Sequence, residues 1–142
     1  MPTESASTKP TLLIAAGNYL YGDEAVSHRV LSLLGSRSGV AMFDVLNWSP
    51  ELAGRIAQAD EVVFVDAVDR LGEPWMEQLD AKTSAGRIVD QARRDHAFRG
   101  RAYHCHVPGL EFGRRAIGLS PYAESRARQA AGLLRKFLGL TA

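Results

Sequence analysis

A chain of 142 residues with 46% hydrophobic and 23% charged side chains suits one globular domain with a sizeable core. Its net charge of +1 supplies no field that would draw nucleic acid or an anionic membrane. The apolar runs are a few residues long, far short of a bilayer span. One cysteine, Cys105, excludes an intrachain disulfide and a thiolate zinc cluster. The polar opening lacks the apolar centre of a secretory signal, so the cytoplasm is the expected compartment.

Residues 1–10, rich in Ser, Thr and Pro, read as a flexible tail, and 11–142 as a single α/β domain with no internal repeat. Residues 11–16 form a continuous apolar run, the pattern of a strand buried on both faces. Asp23 is placed to cap the helix that follows, in which Val26, Val30, Leu33 and Leu34 share one face. A less central strand is expected over 40–46. Ser49-Pro50-Glu51 reads as a short helix start with serine as the N-cap. Residues 61–65 are a second buried strand ending at Asp66, followed by a loop with Asp69, Arg70 and Gly72. A short edge strand over 75–79, a largely exposed helix over 85–96 and a strand over 101–107 come next. Ser120-Pro121 opens a last helix with an apolar stripe of Ala123, Ala127, Ala130, Leu134 and Leu138. Strands alternating with helices imply a mostly parallel, doubly wound sheet.

In such sheets ligands bind outside the carboxyl ends of the strands. Glu24 follows the first strand and Asp66 ends the third. If those strands are neighbours, the two carboxylates converge on one crevice, where hard oxygen ligands suit a divalent metal or a positioned water. Asp23 is explained by helix capping alone. His104-Cys105-His106 puts both imidazoles on one face of a strand. His104 is expected to pack under a helix, His106 to lie nearer the crevice, and Cys105 to face the core on the other side. His28, one turn beyond Glu24, is expected to pair with it at the surface, and His96 to sit at a helix C-terminus. The start of the first helix carries two acids and no G-x-G-x-x-G or P-loop, which disfavours phosphate. No G-x-S-x-G elbow is present, and Cys105 lacks an activating setting.

The stretch Gly17-Asn18-Tyr19-Leu20-Tyr21-Gly22-Asp23-Glu24 resembles the Gly-Asn-x-Leu-x-x-Asp-[Asp/Glu] opening of the hydrogenase maturation proteases. Val65-Asp66-Ala67, Gly72-Glu73-Pro74 and Gly118-Leu119-Ser120-Pro121 are similar, in order, to that family's later motifs. The resemblance implies a three-layer α/β sandwich with a twisted five-stranded sheet of phosphorylase/hydrolase-like class and flavodoxin-like order. It implies an endopeptidase of metal-dependent aspartic type that removes the C-terminal extension of a nickel-iron hydrogenase large-subunit precursor after nickel insertion. Glu24 and Asp66 are then the catalytic and metal-engaging residues. The nickel is supplied by the substrate precursor rather than tightly bound. The precursor is the implied partner, without nucleic acid or membrane, and a monomer or weak dimer is expected. The family's third ligand, a histidine in a Ser-Pro-His segment, is missing from Thr83-Ser84-Ala85-Gly86-Arg87, and its Gly-Gly-Thr loop is replaced by Asn47-Trp48-Ser49-Pro50. His106 is a candidate replacement ligand. The departure leaves a second reading, a non-catalytic hydrogenase assembly factor on the same fold, and a third, a metabolite-binding domain.

Overall fold

The two uninterrupted apolar runs become adjacent central strands. The computed structural model describes residues 9–113 and 116–139. In it β1 (Thr11–Ala16) lies between β2 (Val40–Val45) and β3 (Glu61–Asp69), and β5 (Arg101–Gly109) separates β3 from β4 (Trp75–Gln78). β2, β1, β3 and β5 are parallel, whereas β4 runs antiparallel to β5. The 2-1-3 portion has the flavodoxin-like order expected. The last two strands are exchanged, because the short link 70–74 cannot hold the crossover that a parallel β4 would need.

Alternation along the strands divides the interior into two layers. Leu13, Val63, Val65 and Cys105 face α1 (Val26–Leu34) and α4 (Pro121–Phe137). Leu12, Ile14, Val62 and Phe64 face α2 (Leu52–Ile56) and α3 (Ser84–His96). The Ala123, Ala127, Ala130 and Leu134 stripe is fully buried, and such small side chains let α4 lie close to α1. Arg29 then makes a two-pronged pair with Glu124 across the two helices, each bond 3.0 Å. Ser120 caps α4 as expected, its hydroxyl accepting from Ala123 N.

Several boundaries differ from the sequence reading. Of the tail expected over 1–10, residues 1–8 lie outside the described residues. Pro10 is tied down, its carbonyl accepting from Asp60 N at 2.9 Å. Ser49 does not cap α2 through its side chain; its carbonyl closes a turn on Leu52 N, and the helix starts at Leu52. β3 runs on to Asp69 because β5 keeps pairing with it as far as Gly109, whereas β1 stops at Val65. Asp66 is therefore the first β3 residue past the pairing with β1, at the step between the two strands. Tyr122 of α4 clamps the loop after β3: its hydroxyl accepts from Gly72 N at 2.7 Å and donates to Gly72 O at 3.0 Å.

The largest correction concerns Asp23. It does not cap α1, which begins without a side-chain cap after a 3-10 turn, Gly22–Ala25. Its side chain is fully buried and turns to the opposite loop. There one oxygen accepts from Leu110 N (2.8 Å), Glu111 N (2.9 Å) and the Ser120 hydroxyl (2.7 Å), and the other from Ser120 N (2.8 Å). Burial pushes its pKa up, but the bonds from Glu111, Ser120 and Leu110 outweigh it and hold the carboxyl below the usual range. Replacing Asp23 by Ala strands three backbone N–H groups, and a loss of about 3 kcal/mol or more is expected in urea unfolding. The folded carboxyl titrates below the unfolded one. Its contribution is therefore complete above the unfolded value of about 4 and is lost as pH falls through the lower native value. The wild-type advantage over the Ala variant should shrink accordingly in acid.

Candidate active site

The step between β1 and β3 opens into a cleft of about 380 Å³ whose lining includes Gly17, Glu24, Trp48, Asp66, Asp69 and Phe112. Glu24 and Asp66, separated by much of the chain, thus face one space, as neighbouring β1 and β3 require. Asp69 and Phe112 were not singled out from the sequence. Asp69 enters because β3 overhangs β1, and Phe112 because the loop after β5 folds back over the turn bearing Asp23.

Glu24 is set by the geometry of the turn before it. Gly17 leaves β1 with φ +153°, and a Cβ there would lie 1.9 Å from the Glu24 carbonyl oxygen. Only glycine lets the strand end press so closely on the turn. Asn18 closes an Asx turn, its Oδ1 accepting from Leu20 N at 2.9 Å. From behind, the Ser27 hydroxyl donates to Ala16 O, and His28 Nε2 donates to Gly17 O at 2.7 Å. His28 Nδ1 faces Asp44 Oδ1 at 2.6 Å, and Tyr19 stacks on the ring with centroids 4.3 Å apart. The expected Glu24–His28 surface pair does not form. Glu24 lies in the 3-10 turn, where successive side chains rotate by about 120° rather than 100°, and His28 points inward, 4% exposed.

The two histidines of β5 face the α2/α3 side with Asp66, which pairs in register with His106. Their environments differ. His106 Nε2 is 2.6 Å from Glu77 Oε2 on β4, and its ring lies between Trp75 and His104, at 4.4 and 4.0 Å. Burial first, then the neighbouring His104, holds its pKa below the ordinary histidine value, against the opposing pull of Glu77 and Asp66. His104 is buried, and its Nε2 stands 3.6 Å from Asp66 Oδ2. Cys105 faces the core, as its place in the strand implies, and burial pushes its thiol up to about 12, so it is no thiolate nucleophile. His96 lies exposed at the far end of the sheet. Thr83, where the missing Ser-Pro-His would begin, caps α3 by accepting from Gly86 N at 3.0 Å. Among the described residues no three His, Cys, Asp or Glu side chains are gathered to hold a metal ion by themselves, and no helix is long and apolar enough to cross a membrane.

No protein-family model and no curated protein matches the sequence. Solved structures do match. The hydrogenase maturating endopeptidase HybD from E. coli superposes with a TM-score of 0.73 at 20% identity, covering 92% of each chain. The chain has the hydrogenase maturation endopeptidase fold. A hydrogenase 2 maturation peptidase from a Thaumarchaeota archaeon gives 0.72 at 18% identity, covering 94% of this chain and all of the other. The [NiFe] hydrogenase maturation protease HycI from Thermococcus kodakarensis gives 0.71 at 20%, covering 92% and 93%.

Gly17 is the sharpest test of how this site is held. Gly17→Ala forces the strand end and the Glu24 turn apart. A loss of about 2 kcal/mol in urea unfolding is expected, together with displaced amide resonances at residues 23–25 in NMR spectra. Unchanged stability and spectra would contradict the close approach.

Proposed function

We propose that this chain is a hydrogenase maturation endopeptidase that trims the C-terminal extension of a nickel-iron hydrogenase large-subunit precursor once nickel is in place. The observation that carries the reading is the setting of the cleft. Glu24, Asp66 and Asp69 line it, which suits a cation and repels phosphate. Around it, every exposed large hydrophobic among the described residues sits on a loop at the carboxyl end of the sheet. Tyr19, Leu20 and Tyr21 follow β1, Leu46 follows β2, Leu71 follows β3, Leu110 follows β5, and Ile117 precedes α4. An apolar rim around an acidic centre fits a protein surface that presents a metal ion, and fits a small polar metabolite poorly.

In this reading the nickel is part of the substrate. Glu24 and Asp66 present carboxylate oxygens to it from facing walls and so register the precursor in the cleft. A divalent ion held there polarises a carbonyl or lowers the pKa of a bound water. A carboxylate not taken up by the ion can accept the proton of the attacking water. Among the described residues no serine or thiolate nucleophile faces the cleft, so direct attack by water is favoured over a covalent intermediate. The reaction belongs in the cytoplasm, where the precursor is assembled.

The missing imidazole at 83–87 supports the second reading, an assembly factor that binds the precursor without cutting it. Cleavage of a nickel-loaded precursor decides between them. Wild type should release the extension. Glu24→Gln and Asp66→Asn should each slow release by about 100-fold or more while urea unfolding stays near wild type. Wild type that binds the precursor without cutting it would establish the assembly factor.

A further inference from the structure

Trp48 lines the acidic cleft and also a second groove of about 230 Å³, together with Pro50, Ser84, Arg87, Ile88 and Gln91. The shared side chain makes the two cavities neighbours. Its ring is set edge-on against buried Phe64, with centroids 5.0 Å apart. The groove is smaller than the cavities that enclose free small molecules, which begin at about 300 Å³. None of the exposed large hydrophobics around the carboxyl end of the sheet lines it. A folded partner seated on that apolar rim therefore leaves the groove open to a single extended strand.

The two cavities differ in charge. Among the described residues the cleft is lined by Glu24, Asp66 and Asp69 and by no basic side chain. Arg87 is the one charged residue lining the groove. It is exposed in the first turn of α3, and the arginine ion pairs among the described residues belong to Arg29, Arg94 and Arg128. A guanidinium without a carboxylate partner, planar and with its donors in a fixed fork, suits a carboxylate brought by another chain. Gln91 adds an amide that can both donate to and accept from a peptide group. The residue before Arg87 contributes nothing: a Cβ at Gly86 would lie 2.2 Å from Asp80 O, so no side chain fits there. This turn offers the groove an arginine and has no room for an imidazole at Gly86.

We propose that the groove receives an extended, acidic segment of the precursor's C-terminal extension, whose carboxylate pairs with Arg87 while the bond to be cut lies in the cleft. The inference rests on the reading of this chain as a hydrogenase maturation endopeptidase and names the part of the substrate that lies beyond Trp48. The acids of the cleft repel an acidic segment and Arg87 attracts it. The entering chain is thereby set in one direction, its cation-bearing part at the cleft and its acidic part past Trp48.

The test uses a nickel-loaded precursor in three forms that differ only at the charged positions of the extension, set to Glu, Gln or Lys. Release of the extension and affinity for the precursor are measured for wild type, Arg87→Gln, Arg87→Glu and Arg99→Glu. The last makes the same charge change at an exposed residue just before β5, at the far end of the sheet. Wild type should favour the Glu form over the Lys form by about fivefold or more, in KM rather than kcat. Arg87→Gln should flatten that order, Arg87→Glu should reverse it, and Arg99→Glu should keep it. A merely structural role for Arg87 would not reverse a preference, and urea midpoints should stay near wild type because the side chain is exposed. Benzoylphenylalanine in place of Gln91 should crosslink to the extension. Cleavage with the same order in all four proteins, or crosslinks confined to the retained part of the precursor, would overturn the inference and leave the endopeptidase standing. If wild type binds the precursors without cutting them, the endopeptidase fails, while an order of affinity reversed by Arg87→Glu still supports the groove. Wild type that binds none of the three forms overturns both.

Discussion

One buried carboxylate sets the geometry of the carboxyl end of the sheet. Asp23 accepts four hydrogen bonds from Leu110, Glu111 and Ser120. In doing so it joins the connection after β1 to the connection between β5 and α4. Three backbone bonds run beside it, from Asp23 N to Glu111 O, from Gly22 N to Ala116 O and from Ala116 N to Leu20 O. A buried ionised group is tolerated only when its lone pairs are used, and here all four bonds come from the connection between β5 and α4, which would otherwise be independent of the turn that carries Asp23. Glu24 follows directly in the chain, so its position is inherited from its neighbour. The pair divides the labour: one acid is locked inside and the other is left facing the cleft.

The same division separates structural from chemical groups elsewhere. Buried His28 and exposed Asp44 serve the fold, bridging the end of β1 to the edge strand. His106 and Glu77 bind each other across the antiparallel pair of β5 and β4. What remains on the cleft walls is acidic: Glu24, Asp66 and Asp69. The apolar side chains that could not be covered stand around those acids rather than scattered over the molecule.

Much of this was legible in the sequence. Strands β1 and β3 announced themselves as short continuous apolar runs, the pattern of strands buried on both faces. Ser120-Pro121 and the alanine stripe marked α4, and the place of Asp66 at a strand end led to the cleft. The failures share a cause. Asp23 next to a helix start looks like a cap, and no local pattern reveals that a loop nearly a hundred residues away will offer it better donors. His28 at four residues from Glu24 looks like its partner, until a turn of 3-10 geometry rotates the acid away. His104 and His106 are indistinguishable by alternation. Depth along the strand separates them as expected, His104 being the more buried, and the position of β4 adds Glu77 to His106. Long-range partners, not propensities, decided each case.

Tyr122 has a further bearing on how a partner would be received. Its hydroxyl holds both backbone groups of Gly72, so the loop carrying Leu71 is fastened to α4. The loops of Tyr19 and Leu110 are fastened in the same sense by His28 and by Asp23. Ordering a mobile loop at an interface costs conformational entropy at the moment of binding. In this chain that ordering is completed when the domain folds. Those three parts of the rim would enter an association already held in place, at a smaller ordering cost than free loops.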